Sequence, residues 1–168
     1  EENNLGAKAK QERWARWHTC SLCEQDYHGV VAHALGWSCW KTYLGRPEAD
    51  WNRRLAIGVL GNGLNKADRH EDALSVYGAE LPLLRRIGAS EDEILITQSN
   101  LANSYDQLGR SEEALSMRRD IYSGRLKLSG EEHERTLRAA SNYAASLARL
   151  RQSKEAKSLL RKTIPAAR

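Results

Sequence analysis

Five side chains of the types that bind metals lie within one short stretch near the start of the sequence, TCSLCEQDYHGVVAHALGWSCWKTY. They are Cys20, Cys23, His28, His33 and Cys39. Zinc takes four tetrahedral sulfur or nitrogen ligands, and the spacing of the first four side chains matches a zinc knuckle that ends in histidine. Cys39 offers an alternative fourth ligand. The pattern therefore predicts one structural zinc ion without a free position for catalysis.

A second interpretation of this stretch stays open. Zinc knuckles usually carry glycines between their ligands, whereas Gly29 is the only glycine between Cys20 and His33. Residues 30–43 also have the pattern of a helix, in which Cys39 would be a small buried side chain. The cysteines are therefore either zinc ligands or part of a hydrophobic core.

The remaining sequence offers no combination of residues that is typical of catalysis. The glycines and the lysine of GVLGNGLNK, residues 58–66, suggest a phosphate loop, but no strand precedes them and their spacing differs from that motif. No Ser/His/Asp set and no carboxylate pair has a suitable context. We do not expect an enzyme.

Charge and hydropathy disfavour several classes of partner. The 168 residues carry a net charge of +4, with a mean hydropathy of −0.67. Residues 1–50 hold six Lys and Arg against seven Asp and Glu, so the cysteine-rich stretch lacks the cations that nucleic acid requires. No apolar run reaches the roughly 18 residues of a membrane span. Three cysteines do not make a disulfide framework, which favours an intracellular compartment, the cytoplasm above others.

The distribution of tryptophan marks a change along the chain. All five tryptophans fall within residues 14–51, and the chain contains no phenylalanine. We expect a boundary near residues 45–47, with a tryptophan-rich module over residues 1–46. Because the sequence starts at Glu1 and ends inside a helical pattern, we also expect it to be a piece of a longer protein.

The rest of the chain contains a repeat. Three segments align without gaps at offsets of 41 and 42: LGNGLNKADRHEDAL (60–74), LANSYDQLGRSEEAL (101–115) and YAASLARLRQSKEAK (143–157). Each has a small residue after its first apolar one, then a polar turn, then an acidic residue followed by alanine. Such a pattern favours a helical hairpin, in which small residues let two helices approach closely.

Local signals place the helix ends. Ser90 begins a capping box, Gly109 is a helix terminator and Ser111 the cap of the next helix. Pro47 suits the first turn of a helix, whereas Pro82 lies inside a helical pattern and predicts a kink. We predict helices over residues 47–66, 70–87, 91–108, 112–128, 132–150 and 153–168.

At these residues the chain resembles the tetratricopeptide repeat. Ala102, Tyr105 and Ala114 follow its pattern, and the longer period with GEEHERTL (130–137) is similar to the kinesin light chain variety. The chain departs from the pattern at Arg118, where the family usually has a large apolar residue. The resemblance implies an all-α fold.

The implied architecture is a right-handed α-solenoid of about three hairpins over residues 47–168. The hairpins cover residues 47–88, 89–130 and 131–168, and the small module, with or without a zinc staple, precedes them. In this family the first helices of successive hairpins line a concave groove.

The residue after each small one points into that groove in the family, which places Asn62 and Asn103 there. An asparagine amide can both donate and accept, so two of them could hold the backbone of an extended peptide. Solvated polar residues on an open face are the other interpretation. The predicted partner-binding residues are Asn62, Asn65, Ser99, Asn103, Asp106 and Ser141.

Some family members grip a C-terminal carboxylate with cations in the groove. The matching positions here are Gly58, Ser141 and Ala145, which carry no charge, so an internal peptide or a protein surface is favoured. The arginine pairs at 85–86 and 118–119 are expected on solvated faces of second helices.

The first functional hypothesis is therefore a scaffold or adaptor that binds a peptide or protein in its groove. The second is a structural subunit held permanently in a larger assembly. A third, a zinc-knuckle nucleic-acid binder, is disfavoured by the charge balance of residues 1–50.

Overall fold

The structure is a computed structural model that describes residue 12 and residues 14–163. Seven helices follow one another between residues 29 and 163: α1 (Gly29–Tyr43), α2 (Trp51–Asn65), α3 (His70–Arg86), α4 (Glu91–Gln107), α5 (Ser111–Ser129), α6 (Glu134–Arg149) and α7 (Ser153–Thr163). Among the described residues, one isolated antiparallel bridge between Thr19 and Asp26 is the only β-pairing. The predicted all-α class is confirmed.

The six predicted helices correspond in order to α2–α7, and the helical pattern of residues 30–43 corresponds to α1. The predicted last residues of α7, 164–168, lie outside the described part. No helix in the described part is long and apolar enough to cross a membrane.

The predicted start of α2 at residue 47 is wrong. The carboxylate of Asp50 accepts hydrogen bonds from the backbone N–H groups of Asn52, at 2.8 Å, and Arg53, at 3.2 Å. These bonds satisfy two of the amides that a helix start leaves unpaired. The helix therefore begins at Trp51, and Pro47 precedes it.

The caps of α4 and α5 test the other local predictions. Ser90 forms the predicted capping box, in which its hydroxyl accepts from the Glu93 N–H at 3.3 Å and the Glu93 carboxylate accepts from the Ser90 N–H at 3.2 Å. Gly109 follows α4 with a φ of 72°, a conformation that glycine adopts without strain. The prediction for Ser111 is wrong by one position, because α5 begins there and Arg110 is the N-cap residue without a side-chain bond.

Pro82 lies inside α3, and the helix continues past it to Arg86. Proline has no N–H to donate, so the helix lacks one backbone hydrogen bond at this position. The kink predicted there stays a prediction.

The chain divides into two compact units between Tyr77 and Gly78. The core of the first unit contains buried side chains from the tryptophan-rich stretch, from α1 and from α2: Trp14, Cys39, Tyr43 and Ala56. The ring of Trp14 stacks on Tyr43 with 5.2 Å between centroids. Because Ala56 belongs to α2, the predicted module shares a core with the first hairpin, and the predicted boundary near residue 46 falls inside this unit.

Glycines of α2 allow the close helix packing of the first unit. A Cβ atom at Gly63 would lie 2.5 Å from the carbonyl oxygen of Ala32 in α1. A Cβ atom at Gly61 would lie 2.4 Å from the ring of Tyr77 in α3, which is completely buried. Both contacts are too short for any larger residue, so these positions set the distance between neighbouring helices.

The second unit packs α4–α7 around two clusters. One contains Leu95, Ala102, Ile121 and Ala139, and the other contains Ala144, Leu147 and Ala156. The small residues predicted at the helix crossings, Ala102 and Ala144, are both buried. The repeat pattern therefore identified the residues at which the helices approach one another.

The glycine at position 61 provides a stability test. Gly61→Ala should destabilise the chain by about 1–3 kcal/mol, because the added methyl group overlaps the completely buried ring of Tyr77. Gly58→Ala in the same helix is the matched control. Its Cβ meets nothing within 4 Å, so the higher helix propensity of alanine should stabilise by about 0.5–1 kcal/mol. Urea unfolding measures both, and equal effects would contradict the packing described here.

Candidate functional site

The first two predicted zinc ligands lie in a tight turn before α1. The Cys20 N–H donates to the carbonyl of Gln25 at 2.9 Å, and the Glu24 N–H donates to the carbonyl of Cys20 at 2.9 Å. Hydrogen bonds from the backbone N–H groups of Cys23 and Leu22 lower the pKa of the Cys20 thiol, and the thiol of Cys23 contributes. The turn therefore presents two neighbouring thiols.

The other predicted ligands lie in different surroundings. Cys39 is completely buried in the core of the first unit, and burial raises the pKa of its thiol to about 12. The Nε2 atom of His33 lies 2.9 Å from the donor Nε1 of Trp37 and 3.0 Å from Arg69 Nη1. His28 is the N-cap residue of α1 and makes no side-chain cap bond.

Among the described residues, no three side chains of His, Cys, Asp or Glu lie close enough together to hold a metal ion. The five predicted ligands are therefore not gathered at one point. The surroundings of Cys39 fit the alternative interpretation, in which it is a core residue. The zinc ion itself stays a prediction.

Asn62 borders a cavity of about 370 Å³ in the first unit, together with Trp17, Tyr27 and Lys66. Its amide oxygen accepts a hydrogen bond from the Tyr77 hydroxyl at 2.8 Å. Asn65, also predicted to bind a partner, has its amide oxygen 3.0 Å from Nδ1 of His70. Both amides therefore have contacts within the unit.

The second unit contains a cavity of about 350 Å³ between α4 and α6, with α5 beneath it. We call it the α4–α6 groove. Among the residues that the structure describes, four arginines border it, and no aspartate or glutamate does. Its lining is Ile96, Ser99, Asn100, Ala102, Asn103, Arg118, Ile121, Arg125, Arg135, Arg138, Ala139 and Asn142. Two predicted residues, Ser99 and Asn103, lie in this groove.

Arg118 joins three helices beneath the α4–α6 groove. Its Nη2 donates to the amide oxygen of Asn103 at 3.1 Å, and its Nη1 lies 3.1 Å from both the carbonyl of Asn142 and the hydroxyl of Ser146. Its guanidinium also contacts the carboxylate of Asp106 at 2.5 Å. The Arg118 side chain is only 11% exposed, so the expectation of a solvated arginine is wrong here.

Asp106 lies between two cations. Its carboxylate contacts Arg118 on one side and Arg149, at 2.5 Å, on the other, and it is 9% exposed. Both contacts are ionic, with angles outside hydrogen-bond geometry. Burial lowers the pKa of Arg118 and the charge of Arg149 lowers it too, while Asp106 opposes the shift. The predicted partner-binding residue Asp106 therefore neutralises buried charge inside the unit.

A second shared carboxylate lies at the other end of the α4–α6 groove. Asp92 pairs with Arg125, which is nearly buried, and with Arg135, which is half exposed. Hydrogen bonds from Arg135 and Arg125 hold the pKa of the Asp92 carboxyl below its ordinary value. Two arginines again share one negative charge, so this end of the groove keeps a net positive charge.

Ser141 lies elsewhere. It borders a shallow apolar depression between α6 and α7 with Ala144, Ala145 and Leu160. The predicted partner-binding residues therefore lie at several places, and only Ser99 and Asn103 share the α4–α6 groove.

Sequence analysis missed the arginines of the groove. Arg118 was predicted to depart from the repeat and to belong to a solvated arginine pair, although it occupies the position of Tyr77 one repeat later, at an offset of 41. Arg125 lies seven residues, or two helical turns, further along the same face of α5. This spacing was the signal in the sequence that could have identified both.

Helical hairpins that cross at small residues and leave a polar groove between their first helices define a helical-repeat protein. Residues 93–168, from the first turn of α4 onward, match the model of the tetratricopeptide repeat. The proposed resemblance to the repeat is confirmed, and the family model does not extend over the tryptophan-rich module. A comparison with curated proteins finds no match to the sequence.

Solved structures share the fold. A protein of Podosopora anserina described as a kinesin light chain with nearly identical TPR-like repeats is 20% identical, with a TM-score of 0.66 over 79% of this chain and 62% of its own. BtubC (BKLC) from P. vanneervenii is 14% identical, with a TM-score of 0.60 over 82% and 56%. The apo form of RapI is 15% identical, with a TM-score of 0.67 over 79% and 47%.

The chain thus spans less than two thirds of the length of each of these structures. At these identities the likeness concerns the fold alone. The predicted α-solenoid of tetratricopeptide-type hairpins is confirmed.

The buried charges of the second unit can be tested by removing one of them. Asp106→Ala should destabilise the chain by about 3 kcal/mol, because it leaves the nearly buried Arg118 with less compensation. Glu134→Ala is the matched control. It breaks the exposed pair with Arg138, which should cost less than about 1 kcal/mol. If both variants unfold at the same denaturant concentration, Arg118 is not a buried cation.

The lowered pKa of Asp92 predicts a dependence of stability on pH. An unfolded aspartate titrates near pH ~3.9, and the folded pKa lies below that value. Its contribution is therefore complete above the unfolded pKa and is lost as the pH falls through the folded pKa. The stability difference between the native chain and Asp92→Asn should shrink as the pH is lowered from about 6 towards 2. Denaturant unfolding at several pH values measures it, and a constant difference would contradict the pairing.

Proposed function

We propose that this chain is a protein-interaction scaffold that binds an extended segment of a partner protein in the α4–α6 groove. The observation that carries the proposal is the open cavity between the first helices of two successive hairpins. It contains two residues, Ser99 and Asn103, that the repeat pattern had assigned to a partner. Extended peptides fit such grooves because the facing helices reach both sides of the backbone.

The chemistry of the lining supports a peptide or protein partner. Asn103, Arg138 and Asn142 are exposed at the groove, so their polar groups can form hydrogen bonds with a ligand. The large apolar side chain of Ile96 is 44% exposed at the same place. An exposed apolar side chain beside polar groups suits an interface, where burial of apolar area provides affinity and hydrogen bonds provide orientation.

The experiment is a selection of binding peptides from a display library on the purified chain, followed by measurement of affinity by calorimetry. Asn103→Ala and Arg138→Ala should each weaken binding of the selected peptides by about 1–2 kcal/mol, or about 5- to 30-fold. Arg85→Ala, on the exposed face of α3, is the control and should leave the affinity within twofold.

Two results would count against the groove. Equal affinity of all three variants would place the binding surface elsewhere. Failure to select any peptide, together with a stoichiometric companion that survives high salt, would favour the structural-subunit alternative.

A further inference from the structure

Asn103 lies at the surface of the α4–α6 groove, and one side of its amide is occupied. Nη2 of Arg118 is 3.1 Å from the amide oxygen of Asn103. A guanidinium has five N–H donors and no acceptor, so only the oxygen of the amide can face it. The amide NH₂ group then points away from Arg118, with two N–H donors to offer.

The equivalent asparagine of the first unit is not fixed in this way. The donor to Asn62 is the hydroxyl of Tyr77, fifteen residues after it, as Arg118 is fifteen residues after Asn103. A hydroxyl can donate or accept, so either orientation of the Asn62 amide could be satisfied. Only the second unit has a partner that permits a single orientation.

Arg118 itself is held in place. Its guanidinium contacts Asp106 and donates to Asn142 and Ser146, and its side chain is 11% exposed. Rotation away from Asn103 would separate a nearly buried ion pair, which is costly. The orientation of the Asn103 amide is therefore set by the fold rather than by the ligand.

The rest of the groove has the same polarity. Among the described residues its lining includes four arginines and no carboxylate, and Asp92 and Asp106, which pair with arginines of the lining, are not part of it. The hydroxyl of Ser99 donates to the carbonyl of Leu95 at 2.7 Å within its own helix. The charged groups of the lining are thus all hydrogen-bond donors.

We propose that Asn103 binds its ligand through its NH₂ group, as a donor, and that Arg118 is the positioning residue that fixes this orientation. The group that it binds is a backbone carbonyl or a carboxylate oxygen of an extended peptide. This inference rests on the proposed peptide-binding function and states which peptide groups the groove recognises. It specifies which side of the Asn103 amide faces the ligand.

Asn103→Asp tests the inference with almost no change in shape. The substitution replaces the NH₂ group by an oxygen, and the carboxylate still accepts from Arg118, so the fold is retained. Donation from the NH₂ group of Asn103 predicts that affinity for the selected peptides falls at least tenfold, as much as in Asn103→Ala or more. A contact through the amide oxygen predicts instead that Asn103→Asp keeps the native affinity.

Asn100→Asp is the control for negative charge, because Asn100 lines the same groove on the same helix and is not among the exposed polar residues assigned to the ligand. Affinities are measured in about 1 M salt, where charges act over only about 3 Å. Under these conditions Asn103→Asp should bind at least fivefold more weakly than Asn100→Asp. Equal losses in the two variants would overturn the inference.

The role of Arg118 is tested by a conservative and a non-conservative change. Lysine can only donate, whereas glutamine can also accept and would let the Asn103 amide turn over. Arg118→Lys should therefore bind the selected peptides about fivefold more tightly than Arg118→Gln. Urea unfolding of both variants checks that their unfolding midpoints are the same. The reverse order would overturn the inference. If the native chain binds no peptide, both the proposed function and this inference fail. If the native chain binds peptide and Asn103→Asp binds it equally well, only this inference fails.

Discussion

The close approach of two helices in each hairpin depends on one small residue of the first helix. In the three hairpins this position is held by Gly61, Ala102 and Ala144. The residues sixteen places later, on the second helices, are Tyr77, Arg118 and Leu160, respectively. In the first hairpin the ring of Tyr77 fills the space that a methyl group on Gly61 would need. Because protein interiors are close-packed, the combined size of the small residue and the residue sixteen places after it limits which side chains fit beside them.

In the second hairpin the residue sixteen places after the small one is a cation, Arg118. Most features of the α4–α6 groove follow from the need to satisfy its charge. A nearly buried guanidinium needs a counter-charge and several acceptors. Asp106 provides the charge, while Asn103, Asn142 and Ser146 provide acceptors on the two neighbouring helices. The side chains that satisfy Arg118 are thus also the ones that shape the surface above it.

The fold could be predicted from the sequence because period and capping are local properties. The small residues recur at offsets of 41 and 42, and the Ser90 capping box needs only four consecutive residues. The start of α2 was missed because the Asp50 cap was overlooked beside Pro47, and Ser111 was misplaced by one residue. The groove was predicted only in part, because the pairing of Arg118 with Asp106 depends on side chains from three helices, which no single window of sequence contains.

The arginine that three helices share has a mechanical consequence. In a repeat array each hairpin contacts only its neighbours, so hairpins can in principle open one at a time from an end. Here α6 supplies two acceptors to Arg118, and Arg149 of α6 also touches Asp106. Detaching α6 would expose a charged network that α4 and α5 cannot satisfy alone. The last two hairpins should therefore open as one cooperative block, with backbone amides of α4 and α6 exchanging hydrogen at a common rate.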